Sequence, residues 1–209
     1  STNNVWALDR SGQGNNGVLK NMATSTARVA GKIGQALDFD GANDYVDAGS
    51  AANLDNLPAV TLSAWVYPRT QGASSYGRFI TKGAYLTPAT EGWTFGFVGS
   101  PGYLGYDVPY TSTHLDATSA SNNITLNQWQ HIVVTWDGSL TGTNAHIYRD
   151  GVEVAYSSRT NAAGSRQDDS FRNIIIGDNN NHNAQFDGLL DEVRIYNRAL
   201  SADEVKRLY

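Results

Sequence analysis

The chain contains no cysteine. No disulfide can brace it, and no thiolate can serve as nucleophile or metal ligand. Charge is scarce too: 17% of residues are Asp, Glu, Lys or Arg, and the net charge is -5. Nothing is basic enough to hold nucleic acid by charge. No apolar run approaches the ~18 residues needed to span a bilayer. Strong helical periodicity is missing before Ser201. Neither a Gly-x-Ser-x-Gly elbow nor a His-Glu-x-x-His motif occurs, which removes serine-hydrolase and zincin chemistry.

What is present suits strands joined by polar turns. The 209 residues include 21 glycines and many Asn, Ser and Thr. With no linker-like stretch and no internal repeat, residues 1–209 are expected to form one domain, long enough to bury a sizeable core. Residues 60–67 alternate Val60, Leu62, Ala64 and Val66 against Thr61, Ser63, Trp65 and Tyr67, the period of a strand. Further strands are expected at 35–39, 45–47, 78–81, 93–98, 131–136, 145–149, 152–156 and 172–176. Asp150-Gly151 between two of them is a hairpin signal, because a type I′ turn needs positive φ at both positions. Ile132-Val133-Val134 and Ile174-Ile175-Ile176 are apolar on both sides of the pleat, so both faces of those strands should be covered.

The last two dozen residues, FDGLLDEVRIYNRALSADEVKRLY (186–209), read as a turn, a strand and a capped helix. The strand pattern puts Leu189, Asp191, Val193 and Ile195 on one side. Ser201 with Glu204 forms a capping box, and Leu200 with Val205 a hydrophobic staple.

Several segments, in order, resemble the laminin-G-like, concanavalin-A-like jelly-roll domains of the bacterial LamG-like group. They are LDRSGQGNNGVL (8–19), GKIGQALDFDGANDYVDAG (31–49), VTLSAWVYP (60–68), QWQHIVVTWDG (128–138), HIYRDGVEV (146–154), NIIIGDN (173–179) and the ending. The expected fold is therefore an all-β, antiparallel two-sheet sandwich with a short C-terminal helix. Its jelly-roll topology is what the resemblance implies. So is a lectin-like place in a larger secreted or surface protein of a bacterium, with ligands on loops at one end or on the concave sheet.

Five tryptophans invite a sugar-stacking reading, but Trp65, Trp129 and Trp136 lie in or beside apolar strands and are assigned to the core. Ligand candidates are instead sought in loops. Residues 99–123 form a long segment with little strand pattern, carrying Tyr103, Tyr106, Tyr110 and His114. A second loop offers Tyr76 and Arg78, and Lys82 follows. The alternative is that these Gly- and Tyr-rich segments merely cover an edge.

Hard cations need several oxygens. Residues 9–16, 40–44 and 187–191 supply them, and the resemblance implies a structural calcium shared among such loops, with Asp9, Asp40, Asn43 and Asp191 as ligands. The alternative is ordinary turn chemistry, each side chain bonding its own backbone. A glycosidase would need two facing carboxylates. The Glu-x-Asp-x-(x)-Glu strand of concanavalin-A-like glycosidases is absent, and three of the four glutamates have structural readings. His131 in QWQHIVV is read as a structural histidine. The expectation is a non-catalytic carbohydrate-binding module, monomeric within its parent protein, that takes a polysaccharide and neither nucleic acid nor membrane. A protein-interaction or spacer module, and an unusual lyase or hydrolase, are the alternatives.

Overall fold

The computed structural model describes residues 5–23, 25–83, 91–121 and 123–209. Two antiparallel sheets face each other. Strands are numbered in chain order. The nine-stranded sheet runs β1 (Trp6–Ala7), β2 (Gly17–Lys20), β5 (Tyr45–Asp47), β15 (Ile175–Ile176), β7 (Arg78–Lys82), β8 (Trp93–Phe97), β9 (Leu104–Val108), β10 (Leu115–Ser119), β14 (Tyr156–Thr160). The seven-stranded sheet runs β13 (Val152–Glu153), β12 (Ala145–Arg149), β11 (Gln130–Trp136), β6 (Val60–Pro68), β16 (Asp187–Tyr196), β4 (Gln35–Asp40), β3 (Arg28–Ala30). Half of the spatial neighbours are joined by crossovers rather than consecutive in sequence, among them β5 with β15 and β6 with both β11 and β16, as in a jelly-roll sandwich. No helix among the described residues is long and apolar enough to cross a membrane.

Alternation decides which side chains enter the core. Leu62, Ala64 and Val66 of β6, Ile132, Val134 and Trp136 of β11, and Phe95 and Phe97 of β8 all join one buried cluster between the sheets. Phe79 sits edge-on to Phe95, Phe97 and Phe186 at 5.2–5.7 Å between ring centroids. The expected double-sided burial of β11 has a concrete cause. Val133 points away from the main core and packs with Tyr148, Leu200 and Val205 under helix α1 (Ala202–Leu208).

The C-terminal helix is built as its sequence dictates. Ser201 Oγ accepts from the Glu204 amide at 3.4 Å, and Glu204 Oε2 accepts from the Ser201 amide at 2.9 Å. Leu200 and Val205, the staple pair, are both buried in the cluster that the helix covers. Asp150 (φ 51°) and Gly151 (φ 77°) turn β12 into β13, as their residue types require.

Two expected strands are redrawn, 152–156 splitting into β13 and the start of β14 and 172–176 shortening to β15, and two further expectations fail. In β16 the register shifts between Asp191 and Arg194, and Glu192 takes φ 48°. This bulge rotates the pleat, so Leu190 rather than Leu189 faces the core with Val193 and Ile195. The second failure is the segment 99–123, expected to be irregular. It holds β9 and β10, which pair as a hairpin from Leu115↔Val108 to Thr118↔Gly105. Leu104, Tyr106 and Val108 alternate inward with Leu115 and Ala117. Gly105, Asp107 and Asp116 hide a pattern that cross-strand packing enforces.

Candidate functional site

The hairpin β9–β10 and its neighbour β8 carry the site. Because Phe95, Tyr106 and Ala117 fill the core, the intervening residues face outward. Thr94 lies opposite Asp107, and Asp107 opposite Asp116, so three polar residues form a row across three strands. The adjacent row is Gly96, Gly105 and Thr118. Its glycines leave room for what lies above: a Cβ at Gly105 would stand 2.5 Å from the Val98 side chain. Tyr76 and Val98 wall one side of a groove of about 220 Å³, whose floor is Thr94, Asp107, Asp116 and Thr118. Tyr76 is 43% exposed.

The groove is acidic and internally ordered. His114 Nδ1 lies 3.2 Å from Asp107 Oδ2. That hydrogen bond, helped by the charges of Asp107 and Asp116, raises the imidazole above its ordinary pKa against the effect of partial burial. Burial pushes the Asp116 carboxyl up, with the Asp107 charge adding to it, while hydrogen bonds from Thr118 and Ser158 pull the other way. Thr118 Oγ1 lies 3.1 Å from Asp116 Oδ2, and Ser158 Oγ 3.1 Å from Oδ1. Thr94 is 4% exposed, and its hydroxyl makes no hydrogen bond among the described residues.

Of the residues singled out from sequence, Tyr76 stands on the groove wall and His114 is fastened to its floor. Tyr103 is half-buried in the turn before β9, its carbonyl accepting from the Val98 amide at 3.0 Å. Four others are corrected to structural roles. Arg78 is buried, donating to the Phe97 carbonyl at 2.7 Å with its guanidinium 5.8 Å from the Tyr76 ring centroid. Lys82 is 0% exposed, with Nζ 2.7 Å from Asp55 and 3.7 Å from Asp169. Taking that ammonium from water is compensated by these carboxylates, which leaves it no freedom to meet a ligand. Tyr106 points into the core, 6.3 Å from the Trp136 ring, and burial drives its phenol pKa far up. Tyr110 is buried in the same core and bridges to Arg166. The floor residues Thr94, Asp107, Asp116 and Thr118 escaped the sequence reading. The available signal was a lone aspartate inside an apolar alternation, in LGYDV and LDATS.

The four residues expected to share a calcium are not gathered. Asp9 closes its own loop, accepting from the Ser11 amide and hydroxyl at 2.8 Å and the Asn15 amide at 2.9 Å. Asp40 Oδ1 accepts from Ala42 and Asn43 amides at 2.8 and 3.3 Å, and Asn43 is exposed. Asp191, buried, accepts from the Glu192 and Ile33 amides, both at 2.8 Å. Asp40 pairs with Asp187, four residues along β16 from Asp191, so the two are about 13 Å apart at a strand's rise. Beside Asp40, Arg69 already neutralises Asp38 and Asp187 at 2.8 and 2.7 Å. No group of three His, Cys, Asp or Glu suited to a metal occurs among the described residues. The set does not fit one shared ion.

Two other features need weighing. A larger cleft of about 1080 Å³ lies between the sheets beside β1 and β3, lined by Phe39, Val46, Ile174 and Leu190, with Trp6 and Ile33 exposed at its mouth. Asp9, Arg10, Arg28, Asp191 and Arg194 share its lining with that apolar wall, and the Asp9 and Asp191 carboxylates are already taken by backbone amides. His131 and Ser63 approach to 2.9 Å, but both are buried beneath Trp65 and Tyr209. Burial lowers the His131 pKa to about 4. This pair is part of the packing, as expected of a structural histidine.

Residues 40–206 match the family model described as the concanavalin A-like lectin/glucanases superfamily. The chain belongs to that superfamily. Its laminin-G-type sandwich recurs in solved structures of low sequence identity. The binding domain of Paraclostridial Mosquitocidal Protein 1 is 20% identical (TM-score 0.64), over 88% of this chain and 45% of that one. Domain 4 of AbnA, a GH43 extracellular arabinanase from Geobacillus stearothermophilus solved with arabinotriose, is also 20% identical (TM-score 0.55), over 87% and 79%. A putative carbohydrate-binding protein from Bacteroides ovatus is 16% identical (TM-score 0.54), over 82% and 46%. This chain thus spans under half of two of these three. No characterised protein is significantly similar to it in sequence.

Proposed function

We propose that this domain is a non-catalytic carbohydrate-binding module of a larger extracellular or surface protein, and that the β8–β10 groove receives the sugar. The observation that carries the reading is an exposed tyrosine face standing over a floor of carboxylates and hydroxyls. A sugar ring presents an apolar face that packs on an aromatic and an edge of hydroxyls that carboxylates accept. Thr94, Asp107, Asp116 and Thr118 are placed to meet that edge, and Tyr76 to meet the apolar face. The superfamily's lectin members and the arabinotriose-bound relative support the same reading. The experiment is a glycan array followed by affinity electrophoresis. Tyr76→Ala combined with Asp107→Asn should abolish the retardation of the wild-type chain by the glycan it binds. Unchanged retardation, or a wild-type chain that binds no glycan, would refute the proposal.

A second reading has its own observation. Asp107 and Asp116 face each other on neighbouring strands, with the Asp116 carboxyl raised by burial. Paired carboxylates with a proton held on one are what glycoside hydrolysis uses. Against this, Asp116 is held by Thr118 and Ser158, and Asp107 by His114. Reducing-end release from a polysaccharide panel, lost in Asp116→Asn, would replace binding by hydrolysis.

A further inference from the structure

We infer that the groove takes a single sugar ring and prefers one bearing a free amine, then a neutral ring, and rejects a uronate. The inference rests on the carbohydrate reading above and adds the ligand's size and charge.

Size comes from the cavity. At about 220 Å³ the groove lies below the ~300 Å³ at which pockets for drug-sized ligands begin. Tyr76 and Val98 wall one side and narrow the floor. One ring, at a chain end or a branch, is what fits.

Charge comes from the side chains around it. The only acidic or basic side chains that line the groove, apart from the phenols of Tyr76 and Tyr106, are the carboxylates of Asp107 and Asp116. The cations nearby are engaged elsewhere. Arg78 is buried and donates to the Phe97 carbonyl, Lys82 is buried against Asp55 and Asp169, and His114 is bonded to Asp107. An ammonium on the ring would meet charge-assisted acceptors, the stronger kind of hydrogen bond. A uronate would place like charges together without a cation to mediate. Thr94 gives an independent sign that a polar ligand belongs here. The residue is 4% exposed and borders the groove, and its hydroxyl has no hydrogen-bond partner among the described residues. A protein rarely leaves such a group unsatisfied unless something completes it.

The test is a chemical-shift titration of the whole chain with the methyl glycosides of glucosamine, glucose and glucuronic acid, and their galacto counterparts. Shifts should centre on Thr94, Asp107 and Thr118. The amino sugar of the accepted stereochemistry should bind about tenfold tighter than its neutral form, and the uronates should not bind. Asp107→Asn and Asp116→Asn, each checked by melting, should erase the amine preference, and Thr94→Val should weaken all binding while keeping the order. Equal or tighter uronate binding would overturn the charge inference and leave the carbohydrate reading standing. An array-positive glycan whose single rings all fail to bind would overturn the one-ring inference alone. Failure of every single ring and every array glycan would remove both.

Discussion

The outer faces of the two sheets have opposite fates. On the seven-stranded sheet the face is sealed. Helix α1 covers Val133 and Tyr148, and beyond it Trp65, His131 and Tyr209 stack at 5.2–6.4 Å. On the nine-stranded sheet the matching face keeps an open polar groove under Tyr76. The two histidines mark the contrast: burial pushes His131 down to about 4, while the Asp107 hydrogen bond raises His114. The same strand pattern thus serves stability on one face and leaves chemistry available on the other. What differs is whether a later part of the chain returns to cover it.

The largest test of this contrast is Trp65→Ala, which removes a nearly fully buried ring from the sealed face. It should lower unfolding free energy by about 3–5 kcal/mol in urea titration. A loss below 1 kcal/mol on the order of a surface change would mean the face is not sealed.

Next comes pH. His131 has its folded pKa lowered to about 4, against ~6.5 when unfolded. The unfolded state therefore takes up the proton first. The contribution is fully present above about pH 6.5 and is lost as pH falls toward 4, amounting to roughly 3 kcal/mol. His114 has the opposite sign: its raised folded pKa gives stability present below about pH 6.5 and lost as pH rises through the folded value. Urea titrations of His131→Phe and wild type should converge in pH slope only if the sealed histidine is not responsible. The expected result is a shallower acid limb in the variant.

Ser201→Ala is smaller. It deletes the cap that starts the covering helix and should cost about 1 kcal/mol. A loss near zero would show that Leu200 and Val205 alone hold the helix.

Tyr76→Ala should change stability by less than about 0.5 kcal/mol, since the ring is exposed, while removing glycan binding. A large loss of stability would make Tyr76 part of the packing and close the gap between the two faces. Last, because the expected calcium donors are dispersed and satisfied by their own turns, chelator should leave the melting temperature unchanged. A rise with added calcium would require a donor set other than Asp9, Asp40, Asn43 and Asp191.

Legibility in the sequence follows the range of the interaction that sets each feature. Helix α1 was readable because its cap and staple act over three to five residues. Strands β5 (Tyr45–Asp47) and β12 (Ala145–Arg149) were readable to the residue because alternation is local. The bulge at Glu192 was not, since nothing nearby demands positive φ there; it accompanies a change of register against β6. Strands β9 and β10 hid behind Gly105, Asp107 and Asp116, which are poor strand formers alone. For the site, Tyr76 and His114 were visible as unusual loop residues, whereas Lys82 and Arg78 looked available and are buried.

By itself the sequence pointed to the two-sheet sandwich, to most of its core strands though not to β9 and β10, and to the capped helix that ends it. Period-two burial and local hydrogen bonds leave a direct trace in residue order. Tertiary structure alone decided the site. It set Thr94, Asp107 and Asp116 side by side on three strands and drew Lys82 inside to Asp55 and Asp169. Cross-strand neighbours and buried ion pairs depend on register and closure, which residue order does not display.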